Sequence, residues 1–232
     1  TNRMLVDIEG RWGVEEIVNP FFYAFNFDNH YKDIKYNFIE QSQIILSFDF
    51  NASPTTLLIG QMHNKKMAII DLFLTDENTI KGLSPLESAC ELFRVKYLSS
   101  GLVTTPYIIV TGDASGKSKS ADNVANKNFY TKIKQKLYLS DSQVRVRKSN
   151  TSHLLSREIC NSFMYNCDFS IYKSASLLVD DFNMAYTDDK GTLNDAKNKN
   201  GLHIVDAFRY MIDCVLQFDK WQDYVRYYAK KN

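Results

Sequence analysis

The spacing of hydrophobic residues changes character along this chain. Residues 1–40 are dense in aromatics (Trp12, Phe21, Phe22, Tyr23, Phe25, Phe27, Tyr31, Tyr36, Phe38), yet follow neither a strand period of two nor a helix period of 3.6. That segment reads as irregular chain packed on a neighbour, with Asn19-Pro20 marking a turn. From residue 42 the pattern sharpens. Residues 44–51, 55–62 and 66–74 are apolar, β-favouring runs separated by short polar breaks, which predicts a three-stranded antiparallel meander.

Helical signals follow. Ser84-Pro85-Leu86-Glu87 forms a capping box with proline at the first helical position, and Leu86, Ala89, Cys90, Phe93 and Tyr97 recur at helical spacing until Gly101. A buried strand over 107–111 leads into Gly112-Asp113-Ala114-Ser115-Gly116. Beyond it the pattern predicts a basic amphipathic stretch over 123–137, a short strand over 144–146 and a helix over 152–165. The tail adds a helix over 175–184, a hairpin around Asp188-Asp189-Lys190-Gly191, and a helix over 202–217 with Ile204, Val205, Phe208, Met211, Ile212 and Val215 on its apolar face. Three hairpin-linked strands followed by alternating helices and strands predict an α/β fold: a mixed sheet with helices on both faces. No internal repeat or low-complexity tract interrupts it.

Composition narrows the function classes. With 232 residues, 44% of them hydrophobic, the chain can bury a sizeable core. Its apolar runs fall short of the roughly 20 residues that span a bilayer, and its N-terminus lacks the apolar core of a secretory signal, so the expectation is a cytoplasmic protein with no membrane partner. Cys90, Cys160, Cys167 and Cys214 lack the spacing of a zinc cage or disulfide framework and read as buried thiols. A net charge of +1 is uninformative until it is resolved along the chain. Residues 1–40 hold four basic and seven acidic groups, whereas residues 117–148 hold nine basic ones (Lys117, Lys119, Lys127, Lys132, Lys134, Lys136, Arg145, Arg147, Lys148) against Asp122 and Asp141. A stripe of that kind suits a phosphate backbone.

The acids that stand out sit on hydrophobic elements. Asp49 ends the first meander strand, Asp113 follows the next buried strand between two glycines, and Asp206 opens the last helix with His203 three residues before it, on the same face. A carboxylate in such a place is costly unless paired or metal-bound, and a few carboxylates plus water suit magnesium. Ligands of open α/β sheets gather at the carboxyl ends of strands where the topology switches. Asp71 competes, because alternation through Met67, Ile69, Asp71 and Phe73 puts it on an apolar strand face; a structural or supporting role fits it better. His30, His63 and His153 have no partner motif. The run Gly112 to Ser118 mimics a phosphate-binding loop but has three residues between its glycines where that loop needs four.

Taken together, SFDFN on the first strand, VTGDASGKSKS after a later strand, HIVDAFRYMI opening the last helix, and LLVDDFNMAYTDDKGTLND before it resemble the acidic motifs of the nuclease domain of tailed-phage large terminases over residues 42–217. The resemblance implies a ribonuclease-H-like fold, with 42–232 as the nuclease domain and 1–41 as the linker remnant of an upstream ATPase domain. It implies a metal-binding triad of Asp49, Asp113 and Asp206, two Mg2+ or Mn2+ ions, and His203 as supporting ligand or proton shuttle. DNA would run along Lys117, Lys119, Lys127, Lys132, Lys136, Arg145, Arg147 and Lys148. The implied activity is metal-dependent endonucleolytic cutting of concatemeric viral DNA during packaging, in the cytoplasm of an infected bacterium, with portal and small terminase as partners. A junction resolvase or transposase-type nuclease of the same fold, or a non-catalytic DNA-binding or motor-docking module, is the alternative.

Overall fold

Two adjacent parallel strands that end at the same edge of one sheet organise this molecule. The computed structural model describes residues 4–6, 12–14, 19–51, 53–118, 128–188, 192–194 and 202–218. A small antiparallel pair, β1 (Met4–Val6) and β2 (Trp12–Val14), precedes α1 (Phe27–His30) and β3 (Tyr31–Lys32). The meander is β4 (Gln43–Asp49), β5 (Thr55–His63) and β6 (Lys66–Thr75). Then come α2 (Pro85–Phe93) with a π-helical turn (Arg94–Leu98), β7 (Ile108–Gly112), α3 (Phe129–Leu137), α4 (His153–Asn166) and β8 (Asp168–Tyr172). The chain continues through α5 (Leu177–Met184), the short pair β9 (Tyr186–Thr187) and β10 (Leu193–Asn194), and α6 (His203–Phe218).

The main sheet has the order β3-β8-β6-β5-β4-β7. Only β5 runs against its neighbours; β4 with β7, β6 with β8 and β8 with β3 pair in parallel. The expected meander and mixed sheet are therefore present. The strand expected over 144–146 is reduced to one parallel bridge, Val144 to Val110, beside the edge strand β7. Pairings of β8 and β3 were not foreseen. Both are long-range parallel contacts, which leave no hairpin signal in the sequence.

Alternate residues of β4 enter opposite cores, so the strand reads as one continuous apolar run. Ile45, with Leu58, Met67 and Ile69, packs under α4, α5 and α6, whereas Ile44, Leu46 and Phe48 pack under α2 and α3. Along α6, Val205, Phe208, Met211, Ile212 and Val215 are fully buried, each contributing about 1.5–3 kcal/mol. Gly60 lets α6 lie close, since a Cβ there would stand 2.6 Å from the Met67 methyl and 2.8 Å from the Met211 sulfur. The capping box at Ser84 and Glu87 forms as expected.

Residues 19–41 pack on this structure. Phe22 stacks on Phe182 at 4.1 Å, Phe21 is fully buried, and the Asn161 amide of α4 donates to Phe21 O (2.8 Å) while accepting from Ala24 N (2.7 Å). No single period runs through these aromatics because they serve different places: Phe21, Phe22 and Phe25 pack among α4, α5 and α6, Tyr36 and Phe38 pack on the α2 side, and Tyr23 and Phe27 are exposed.

Candidate active site

β4 delivers Asp49 to the side of the sheet that α6 covers. Ser47, two residues earlier on the same face, donates its hydroxyl to Ala207 O of α6 at 2.6 Å and seats the helix on the strand. Asp49 is buried, and its Oδ2 lies within reach of the Asn51 amide and 3.1 Å from His203 Nδ1, which is itself 2.7 Å from the same amide. The neutral imidazole can accept from Asn51, and the protonated one can donate to Asp49. The Asp49 bond raises the His203 pKa against the opposing effect of burial.

β7 delivers Asp113 beside it. Gly112 has φ +145°, and a Cβ there would sit 2.2 Å from Phe48 O, so only glycine fits where β7 closes on β4. The next N–H, of Asp113, then donates to that same carbonyl at 3.0 Å. The Asp113 carboxylate caps a 3-10 turn (Ala114–Lys117): Oδ1 accepts from Ser115 N (2.8 Å) and from Asn150 Nδ2 (2.7 Å), and Oδ2 accepts from the Ser115 hydroxyl. Asn150 returns its oxygen to Ala114 N at 2.8 Å, and the Tyr130 hydroxyl donates to Asp113 O at 2.7 Å. Lys117 reaches away to the carbonyls of Val146 (2.7 Å) and Arg147 (2.9 Å). This turn is built around a carboxylate, not a phosphate.

The third acid lies in the first turn of α6, where Asp206 Oδ1 accepts from Arg209 one turn on. Burial pushes the Asp206 carboxyl up to about 6, with Asp49 adding to the rise and Arg209 opposing it. Tyr210 lies near enough to all three acids to feel their charge. Burial raises its hydroxyl, and the charges of Asp206, Asp113 and Asp49 all raise it further. Asp181 of α5, whose pKa burial raises to about 7, is near enough for His203 to pull it back down.

Among the described residues no three Asp, Glu, His or Cys side chains are grouped tightly enough to hold an ion as placed. The donor chemistry fits a hard divalent cation nonetheless. All three residues are carboxylates, and the burial that raises Asp206, with the Asp49 charge adding to it, is a cost that an added cation relieves.

The other expected residues divide. Arg145 and Arg147 line a narrow cleft with Thr111, Gly112, Asn150 and Tyr210, and Lys148 is exposed next to them. Arg147 Nε also lies 3.1 Å from Asp213 Oδ2. Lys132 lies on α3, but Lys134 pairs with Asp141, and Lys136 pairs at 3.0 Å with Glu87, whose pKa that lysine pulls down to about 2. Lys119 and Lys127 lie outside the described residues.

Asp71 is not brought to this site. A β-bulge between Ile59 and Gly60 in the β5–β6 ladder leaves Ile70 unpaired and reverses the alternation, so Asp71 faces the α2 side, opposite Met67 and Ile69. There its Oδ2 accepts from Lys96 Nζ at 2.6 Å and the Tyr97 hydroxyl at 2.7 Å. Conversely, Asn51, Asn150 and Arg209 touch the acids and were not singled out from sequence. SFDFN and HIVDAFRYMI contained two of them, but nothing in the sequence signals Asn150, which comes from a loop after β7.

No protein-family model matches this sequence, and no curated protein does. Solved structures do. A large terminase from a thermophilic bacteriophage superposes with a TM-score of 0.62 at 16% identity, over 89% of this chain and 46% of that one. The nuclease domain of the P22 large terminase gives 0.57 at 12% identity over 84% and 92%. The large terminase nuclease of thermophilic phage G20c with bound magnesium gives 0.54 at 12% over 85% and 98%. The chain thus has the ribonuclease-H-like fold of large-terminase nuclease domains. It spans about half the length of the first of these, the large terminase from the thermophilic bacteriophage.

Proposed function

We propose that this chain is the nuclease part of a phage large terminase, a divalent-metal-dependent endonuclease that cuts concatemeric double-stranded DNA during genome packaging. The observation that carries the reading is the placement of Asp49 and Asp113 at the ends of neighbouring parallel strands, with Asp206 brought alongside by α6. Asp49, Asp113 and Asp206 would hold two Mg2+ or Mn2+ ions, which when bound supply Lewis acidity and acidify water. Asn51 and Asn150 orient the first two carboxylates through bonds to Asp49 and Asp113. His203 holds or releases a proton at Nδ1 beside Asp49, and Arg145, Arg147 and Lys148 line the approach for the phosphate backbone.

In the same reading residues 1–41 connect to an upstream ATPase domain, with residues 19–41 seated on the nuclease core. Portal and small terminase would be partners, and the infected bacterium's cytoplasm the place of action. The test is nicking of supercoiled plasmid with Mg2+, Mn2+ or chelator. Metal-dependent nicking of plain duplex is expected. Cutting confined to branched junctions or transposon ends would move the chain to another branch of this fold, and no cutting with any divalent metal would end the nuclease reading.

A further inference from the structure

The guanidinium of Arg209 is buried, 3% exposed, and is held from several elements at once. One terminal nitrogen donates to Asp206 Oδ1. The other lies 3.3 Å from both Thr151 O, just before α4, and Ser156 Oγ, within its first turn. Its carbon also stands 6.0 Å from the Phe21 ring centroid and 5.9 Å from that of Tyr210. A buried cation needs an anion, and Asp206 is the carboxylate it contacts. A lysine could neutralise that anion. Only the planar fork of arginine can hold the carboxylate with one nitrogen while the other is fixed to a different helix.

We propose that Arg209 is a positioning residue for metal ligation: anchored by Thr151 and Ser156, it fixes the rotamer of Asp206 through Oδ1 so that the carboxylate is presented ready to ligate. This rests on the reading of Asp49, Asp113 and Asp206 as a metal site. Hydrogen bonds that orient metal-ligating carboxylates are worth about 10–100-fold in affinity or activity. The anchoring also ties the third ligand to α4 and to the Phe21 segment, neither of which bears a proposed ligand.

The experiment is Mn2+ titration of the intact chain by electron paramagnetic resonance without DNA, alongside plasmid nicking. Arg209→Lys, which keeps the charge, should weaken Mn2+ binding roughly tenfold, at the lower end of that range. Arg209→Met should lose at least as much, and Ser156→Ala, which touches only the far nitrogen, a smaller factor in the same direction. Combining Arg209→Lys with Asp206→Asn should lose no more than Asp206→Asn alone, and duplex affinity should be unchanged. If Arg209→Met does not fold, Arg209→Lys and Ser156→Ala decide. Wild-type Mn2+ affinity in Arg209→Lys, with Asp206→Asn impaired, would overturn the proposal and leave the ion pair a folding contact. A wild-type chain that binds no Mn2+, or an Asp206→Asn variant that binds normally, would overturn the metal site itself and the proposal with it.

Discussion

Asp49 and Asp71 lie two strands apart in one sheet, and both are buried, at 5% and 3% exposure. Their surroundings differ. Asp71 is closed off by a lysine and a tyrosine hydroxyl, so its charge is balanced within the chain. Asp49 has an amide and a histidine, and a second carboxylate, Asp206, near enough to feel its charge. Burying a carboxylate is tolerable when a cation answers it. Lys96 answers Asp71, whereas the chain sets Asp49 near a second acid, Asp206, with His203 and Arg209 as the offsetting groups; in the proposed reading a cation from outside relieves the repulsion that remains.

The largest expected effect breaks the comparison if it fails. Asp49→Asn should lower metal-dependent nicking by at least about 100-fold, as the loss of a ligand should exceed the loss of a group that merely orients one. Asp71→Asn should keep nicking within a few-fold of wild type and lower stability by about 1–2 kcal/mol, discounted because Lys96 is half exposed. The reverse pattern would exchange the roles of the two acids.

One step down in size are the groups that hold each acid. Asn150→Ala, which frees Asp113, should reduce nicking about tenfold with little change in melting temperature. Tyr97→Phe, which frees Asp71, should cost about 1 kcal/mol of stability and leave nicking intact. Equal effects of both on nicking would mean that both acids serve the chemistry.

The pH dependence is smaller. Burial raises Asp206 to about 6 from its ordinary value of 3.8, so between those values the folded chain keeps a proton there that the unfolded chain releases. With chelator present, that proton contributes stability fully below about pH 4, and the contribution is lost as pH rises through about 6. Manganese affinity should move the other way, rising from pH 5 to 7 as the carboxyl ionises. Titrations at the two pH values check this, and a flat affinity would remove Asp206 from the ligand set.

Smallest of all is the salt effect. Lys148→Glu, in the loop beside Asp113, should flatten the log–log salt dependence of duplex binding by about 0.9. Lys136→Glu, on the α2 side and paired with Glu87, should leave that slope alone and reduce stability by up to about 1 kcal/mol. If only Lys136→Glu changes the slope, DNA meets the face that carries Asp71.

What could be read from the residues was whatever is local. The meander, the Ser84–Glu87 box and α6 depend on neighbours within a few positions; Asp49 and Asp206 stand out because each interrupts an apolar run, and Asp113 because it follows a buried strand between two glycines. Asp71 interrupts one too, and a one-residue bulge that no short-range pattern announces turned it to the other face. Asn150 was hidden because an asparagine in a loop carries no signal until the fold brings it 37 positions back to Asp113. Phe21 and Phe22 were read as packing, but their host was unreadable without knowing where α4, α5 and α6 meet.

The close approach at Gly112 also bears on how this chain can vary. The distance between the ends of β4 and β7 is kept by main chain against main chain, with no room for even a methyl group. Any replacement must push the strands apart and carry Asp113 away from Asp49, although position 112 bears no functional group at all. In a saturation scan scored by nicking, Gly112 should therefore be as intolerant as the acids themselves, and Gly112→Ala should fail while every carboxylate is intact. The tolerance map of the site is drawn partly by an absent side chain.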